Sequence, residues 1–93
     1  MKIEITKDFR FDLDSQIRYI SKDKPSAARK FKIDIIKKIK EDLINPFHFK
    51  KSRYYKDENI RDYVFKGYTI VYYIDVEQEV VSVFSFIKYK DSL

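Results

Sequence analysis

Between positions 60 and 89 the apolar residues fall in three runs rich in β-branched and aromatic side chains. The runs are Ile60-Arg61-Asp62-Tyr63-Val64-Phe65, Tyr68 to Asp75, and Val80 to Tyr89, and they are broken only by Lys66-Gly67 and by Val76-Glu77-Gln78-Glu79. Runs of this composition, joined by breaks this short, predict a three-stranded antiparallel meander. Lys66-Gly67 has the length of a tight hairpin turn, where glycine takes positive φ without steric cost. Alternation gives each strand two rows. In the middle strand Tyr68, Ile70, Tyr72 and Ile74 oppose Thr69, Val71 and Tyr73. In the last strand Val80, Ser82, Phe84, Phe86 and Lys88 oppose Val81, Val83, Ser85, Ile87 and Tyr89. Neither face of such a sheet is polar. One is expected to lie under the chain's own helices, and the other, carrying Thr69, Val71, Tyr73, Val83 and Ile87, is expected to receive a partner.

Upstream, Ile3 and Ile5 alternate with Lys2, Glu4 and Thr6, which predicts a short strand. From Asp8 the period changes: Phe9, Leu13, Ile17 and Ile20 form one stripe of a helix over 8–21. Lys22-Asp23-Lys24 connects it to a second helix that opens on Pro25, where a missing N–H costs nothing, and stops at Asn45-Pro46. Phe31, Ile35, Ile39 and Leu43 form its apolar stripe, while Arg29, Lys30, Lys37, Lys38 and Lys40, mixed with Asp34, Glu41 and Asp42, read as a solvated face. So short a connector predicts an antiparallel helix hairpin. The expected fold is α+β in the order β-α-α-β-β-β, one domain over 1–93, with the hairpin on one face of a four-stranded antiparallel sheet whose edge the first strand joins. The least regular stretch, 46–59, interleaves aromatic and basic residues: Phe47, His48, Phe49, Lys50, Lys51, Arg53, Tyr54, Tyr55 and Lys56. Such a stretch suits gripping phosphates and stacking on bases. It equally suits Phe47 and Phe49 closing the core while the lysines stay in water.

Charge and composition narrow the chemistry. Twenty Lys and Arg against fifteen Asp and Glu leave a net charge of +5, which favours polyanions, whether nucleic acid or an acidic protein. There is no cysteine, so thiolate metal sites, disulfides and thiol nucleophiles are excluded, and a single glycine excludes a glycine-rich phosphate loop. His48, the one histidine, has no partner at ligand or triad spacing, and no metal or cofactor is expected. The charged start and the lack of any long apolar run lead to the expectation of a cytoplasmic protein without a membrane partner.

The order of elements, together with Pro25-Ser26-Ala27-Ala28-Arg29-Lys30-Phe31, Asn45-Pro46, Asn59-Ile60-Arg61, Lys66-Gly67-Tyr68-Thr69-Ile70-Val71-Tyr72-Tyr73-Ile74 and Phe86-Ile87-Lys88-Tyr89, resembles the RelE/ParE superfamily of toxins from bacterial type II toxin–antitoxin systems. The resemblance implies a toxin held inactive by a cognate antitoxin, which the basic charge suggests is acidic, and which is expected from an adjacent reading frame. It implies one of two targets, DNA gyrase for the ParE-like branch or mRNA on the ribosome for the nucleolytic one. RNA-cutting members usually place an arginine directly after the Gly-Tyr of the middle strand. Here that position is Thr69, which favours the ParE-like branch. Metal-free RNA cleavage needs a base, a proton donor and cations over the phosphate. Arg61, Lys88 and Tyr89 are the candidates for that role, with Lys50, Lys51, Arg53 and Lys66 as nucleic-acid or target contacts. Each has a structural alternative: Arg61 in an ion pair with Asp57, Glu58 or Asp62, and Tyr89 as a packing residue at a strand end. A relative that binds its antitoxin or nucleic acid without harming the cell is the remaining reading.

Overall fold

Thr6, the one residue between the first strand and the first helix, shows how locally this chain is punctuated. Its Oγ1 accepts a hydrogen bond from the Phe9 N–H at 3.2 Å, satisfying a helical donor that has no partner within the helix. The computed structural model describes residues 1–88. It contains β1 (Lys2–Ile5), α1 (Lys7–Ser21), α2 (Pro25–Asp42), a 3-10 turn at Pro46–His48, β2 (Ile60–Phe65), β3 (Tyr68–Asp75) and β4 (Val80–Lys88). Pro25 sits in the first turn of α2, and Lys66 and Gly67 turn β2 into β3 with φ of 48° and 83°. Two successive positive φ values are the mirror-image turn that matches the twist of a hairpin.

The four strands lie in the order β1-β4-β3-β2. The meander is antiparallel as expected, but β1 runs parallel to β4, with Lys2 opposite Val80 and Ile5 opposite Val83. The expectation of an all-antiparallel sheet is corrected here. Only strands joined by a tight turn are forced antiparallel, and two helices intervene between β1 and the meander, a connection long enough for either direction.

The core lies between the helix hairpin and one sheet face. Phe9 and Leu13 of α1, Ile35 and Ile39 of α2, and Leu43 at the C-cap of α2 meet Tyr63, Ile70, Tyr72, Ile74, Val81, Val83 and Phe86. The helical stripes and the Ile70-Tyr72-Ile74 row are thus those read from periodicity. In β4 the rows are different, because the ladder slips between Val71 and Tyr72: Tyr72 pairs with Val83 but Val71 pairs with Ser85. Phe84 is the extra residue of a β-bulge, and the alternation changes phase there. Val83 therefore faces the core, fully buried, rather than the outer face on which it was expected, while Phe86 joins the core from what sequence alone made the opposite row.

Candidate functional site

The connector from Pro46 to Asn59 carries Lys50, Lys51 and Arg53, three of the candidate residues, and Arg61 is what holds it. Arg61 belongs to the same β2 row as Tyr63 and lies opposite Tyr72. Its Nε donates to the Glu58 carbonyl at 3.0 Å, and its Nη1 to the carbonyls of Phe49 at 2.7 Å and Phe47 at 3.3 Å. The guanidinium also lies 5.5 Å from the centre of the Phe47 ring. The ion pair with Asp57, Glu58 or Asp62, the structural alternative for this residue, is not among the ion pairs of the described residues. A five-donor planar fork is instead matched to backbone carbonyls of a loop that has few other partners for them. Tyr72 continues the same work from β3: its hydroxyl donates to the Pro46 carbonyl in the core. Burial raises the Tyr72 pKa, against the opposing pull of the nearby Arg61 charge, so this hydroxyl keeps its proton well past the ordinary range.

The connector first runs along the outer edge of β2. The Ser52 N–H donates to the Ile60 carbonyl at 2.8 Å, and the Asp62 N–H to the Lys50 carbonyl at 3.1 Å. It then crosses the sheet face opposite the helices, where the Tyr55 ring packs edge-on against Phe84 of β4 with centroids 5.5 Å apart. The expected docking row is changed. Thr69 is 5% exposed and Val71 fully buried, on the face away from the helices, whereas Tyr73 remains 37% exposed. Ile87 is half-buried. What stays open on this side is Tyr73 together with a cross-strand row in which Val64, 67% exposed, lies opposite Thr69, and Thr69 opposite Ile87.

Of the target-contact candidates, Lys50, Lys51 and Arg53 come together. With His48, Phe49, Asp62, Tyr63 and Val64 they line a groove of about 650 Å³ beside the β2 edge. Lys51 pairs with Glu58 at 3.3 Å in solvent, and the Arg53 N–H donates to Asp62 Oδ2 at 3.0 Å. The second oxygen, Asp62 Oδ1, is buried and receives no hydrogen bond from the described residues. Phe49 and Tyr63 form the apolar wall, edge to face at 5.1 Å, and the Tyr63 hydroxyl is fixed by donation to Asp42 of α2. Burial, reinforced by that carboxylate, raises the Tyr63 pKa. Lys66 lies apart at the β2–β3 turn, 3.8 Å from Asp34.

The three residues weighed for cleavage are not assembled. Lys88 lies opposite Tyr68, its Nζ 5.5 Å from the centre of the Tyr19 ring. Arg61 pairs with Tyr72, four residues along β3 and on the far side of it. At strand spacings this separates their backbones by roughly 16 Å, too far for one phosphate. Tyr89 falls outside the described residues. Sequence reading missed Asp62, Tyr63 and Val64 as groove residues. The one signal for them was a carboxylate, Asp62, beside Arg61 at the start of a strand that is apolar from Tyr63 to Phe65.

Residues 3–92 match the family described as ParE toxin of type II toxin-antitoxin system, parDE. Among solved structures, one described as the chromosomal ParDE TA system from P. aeruginosa superposes with a TM-score of 0.75. The two share 15% identity over 97% of this chain and 97% of that one, a likeness that speaks to fold alone. No curated protein sequence matches significantly. Because the family match runs over nearly the whole chain, the protein belongs to the ParE toxin family: it is a ParE-like toxin of a type II toxin–antitoxin system, with a cognate antitoxin as its partner.

Proposed function

We propose that the toxin arrests growth by acting on DNA gyrase and cleaves no RNA, and that an acidic antitoxin from an adjacent reading frame neutralises it. The observation that carries the first part is the state of Arg61. A cation that stabilises a scissile phosphate must be free to approach it, and this one is hydrogen-bonded to three backbone carbonyls. Thr69 adds to the argument: it has neither the charge nor, at 5% exposure, the access for that role. The antitoxin's docking surface is the open row of Val64 and Ile87 with Tyr73, where apolar side chains meet solvent on a protein of net charge +5.

The test is induced expression in cells, scoring growth, transcript integrity and plasmid topology together. Growth arrest with intact transcripts and altered supercoiling, or gyrase-dependent DNA breaks, is the expected outcome. Transcripts cut at defined codons, with toxicity relieved by Lys88→Ala combined with Tyr89→Phe, would establish the nucleolytic reading in its place. No growth defect at all would identify a harmless relative.

A further inference from the structure

The outer face of α2 is less polar than a solvated face needs to be. Ile35 and Ile39 point into the core, whereas Ile33, two residues before the first of them and so on the other side of the helix, is 66% exposed. With Ile36, which packs partly against the core, Ile33 lines a groove of about 550 Å³. The remaining lining comes from Lys32, Lys37, Lys40 and Glu41 of the same helix. These charges are unevenly answered. Lys32 pairs with Asp14 of α1 at 3.2 Å and Glu41 with Lys38 at 3.9 Å, but Lys37 and Lys40 enter no ion pair among the described residues. The groove faces away from the sheet, so it stays open when a partner covers Val64 and Tyr73 on the sheet's far side.

We infer that the toxin seats its target on this α2 groove, through an acidic amphipathic helix of the target protein. A groove with apolar residues between unpaired cations calls for apolar side chains to fill it and carboxylates to meet its flanks. An amphipathic helix brings both: apolar residues at every third and fourth position against Ile33 and Ile36, and acidic residues beside them for Lys37 and Lys40. Nucleic acid would satisfy only the lysines, because phosphates leave Ile33 in water. A second copy of this chain would set lysine against lysine. A bilayer offers anionic head groups and acyl chains, but as a plane that leaves a groove unfilled. The role given to α2 rests on the reading that the toxin acts on a protein, and it adds the surface and the chemistry of contact. Neutralisation and action then use opposite sides of the molecule.

The test has a binding arm and a cellular arm. In the first, the full chain is titrated by fluorescence anisotropy with a stapled helical peptide carrying leucine at every third and fourth position and glutamate elsewhere. A scrambled peptide of the same composition and phosphatidylglycerol vesicles are the controls. The amphipathic peptide is expected to bind about tenfold more tightly than the scrambled one, and Ile33→Asp to remove that difference. Lys37→Glu with Lys40→Glu should weaken the acidic peptide and favour one with lysine in place of glutamate. Equal binding of the two acidic peptides by the wild-type chain would overturn the inference whether or not the variants fold, as would binding to the vesicles alone. In the second arm, Ile33→Asp should abolish growth arrest while its melting temperature and its affinity for the cognate antitoxin stay at wild-type values. Undiminished toxicity of a folded Ile33→Asp chain would overturn the inference. So would a loss of antitoxin affinity, which would give the groove to the antitoxin. The gyrase-directed reading can fail alone: cut transcripts would refute it, and Ile33→Asp would still report whether toxicity runs through α2.

Discussion

Gly67 shows most directly what a single residue contributes here. A Cβ built on it meets no atom within 4 Å, so space is not what selects glycine; its φ of 83° is. Gly67→Ala should therefore lower stability by about 1 kcal/mol through backbone strain alone, whereas Lys66→Asn, which suits the φ of 48° before it, should raise it slightly. Urea denaturation of both variants checks the pair of signs. Tyr72 is the other residue with a separable effect. Its folded pKa lies above the ordinary value of 10.0, as does that of Tyr63, with burial the main cause in both. Below pH 10 these hydroxyls are protonated in the folded and unfolded chain alike, and their contribution is complete. Above it the unfolded chain releases protons that the folded chain keeps, so stability falls as pH rises, by about 1.4 kcal/mol per pH unit for each group. Tyr72→Phe should lower stability at neutral pH by about 1–3 kcal/mol, because the Pro46 carbonyl loses its donor, yet flatten the alkaline decline by one proton. Denaturant titrations at pH 8 and pH 11 separate the two effects.

At the scale of elements, the connector behaves as part of the sheet. Two hydrogen bonds join it to the β2 edge, Arg61 gathers three of its carbonyls, and Tyr55 carries it over to Phe84. Arg61→Ala should loosen this segment while leaving the helix hairpin intact. Amide exchange would then accelerate at Ser52 and Asp62, and global stability would fall by about 1–3 kcal/mol. Arg61→Lys should recover little, since an ammonium cannot span three carbonyls that a planar fork reaches together. If Arg61→Lys instead restored wild-type exchange, charge alone would account for the residue.

For the whole molecule, the question is what covers the sheet face away from the helices. On that face the Tyr55 ring of the connector lies against Phe84, Val71 is fully buried and Thr69 nearly so, and Val64 and Tyr73 are left open. A partner docked there stabilises by mass action, about 2.7 kcal/mol at a hundredfold excess over its Kd. Thermal melts with increasing antitoxin should rise accordingly. Val64→Asp, at a position 67% exposed in the free toxin, should leave the melting temperature of the toxin alone nearly unchanged while weakening its complex. An unaltered complex would move the docking surface elsewhere.

Local patterning alone determined the elements and their order. The period of 3.6 in 8–21 and in α2, the period of two in β2 and β3, Pro25, and Lys66-Gly67 each act over a few residues, so they can be read without knowing what lies across the core. The family resemblance rested on that same order. Tertiary structure decided what depends on pairing at a distance. The bulge at Phe84 arises from the register of β4 against β3, and it turned Val83 inward without any mark in the alternation of β4 itself. The direction of β1 was free until it met β4. Arg61 could be recognised as a cation from its side chain, but its partners lie on a connector whose path only the packed sheet defines. Whether a charged side chain binds a ligand or holds a loop depends on which oxygens surround it, and those come from residues far away in the chain.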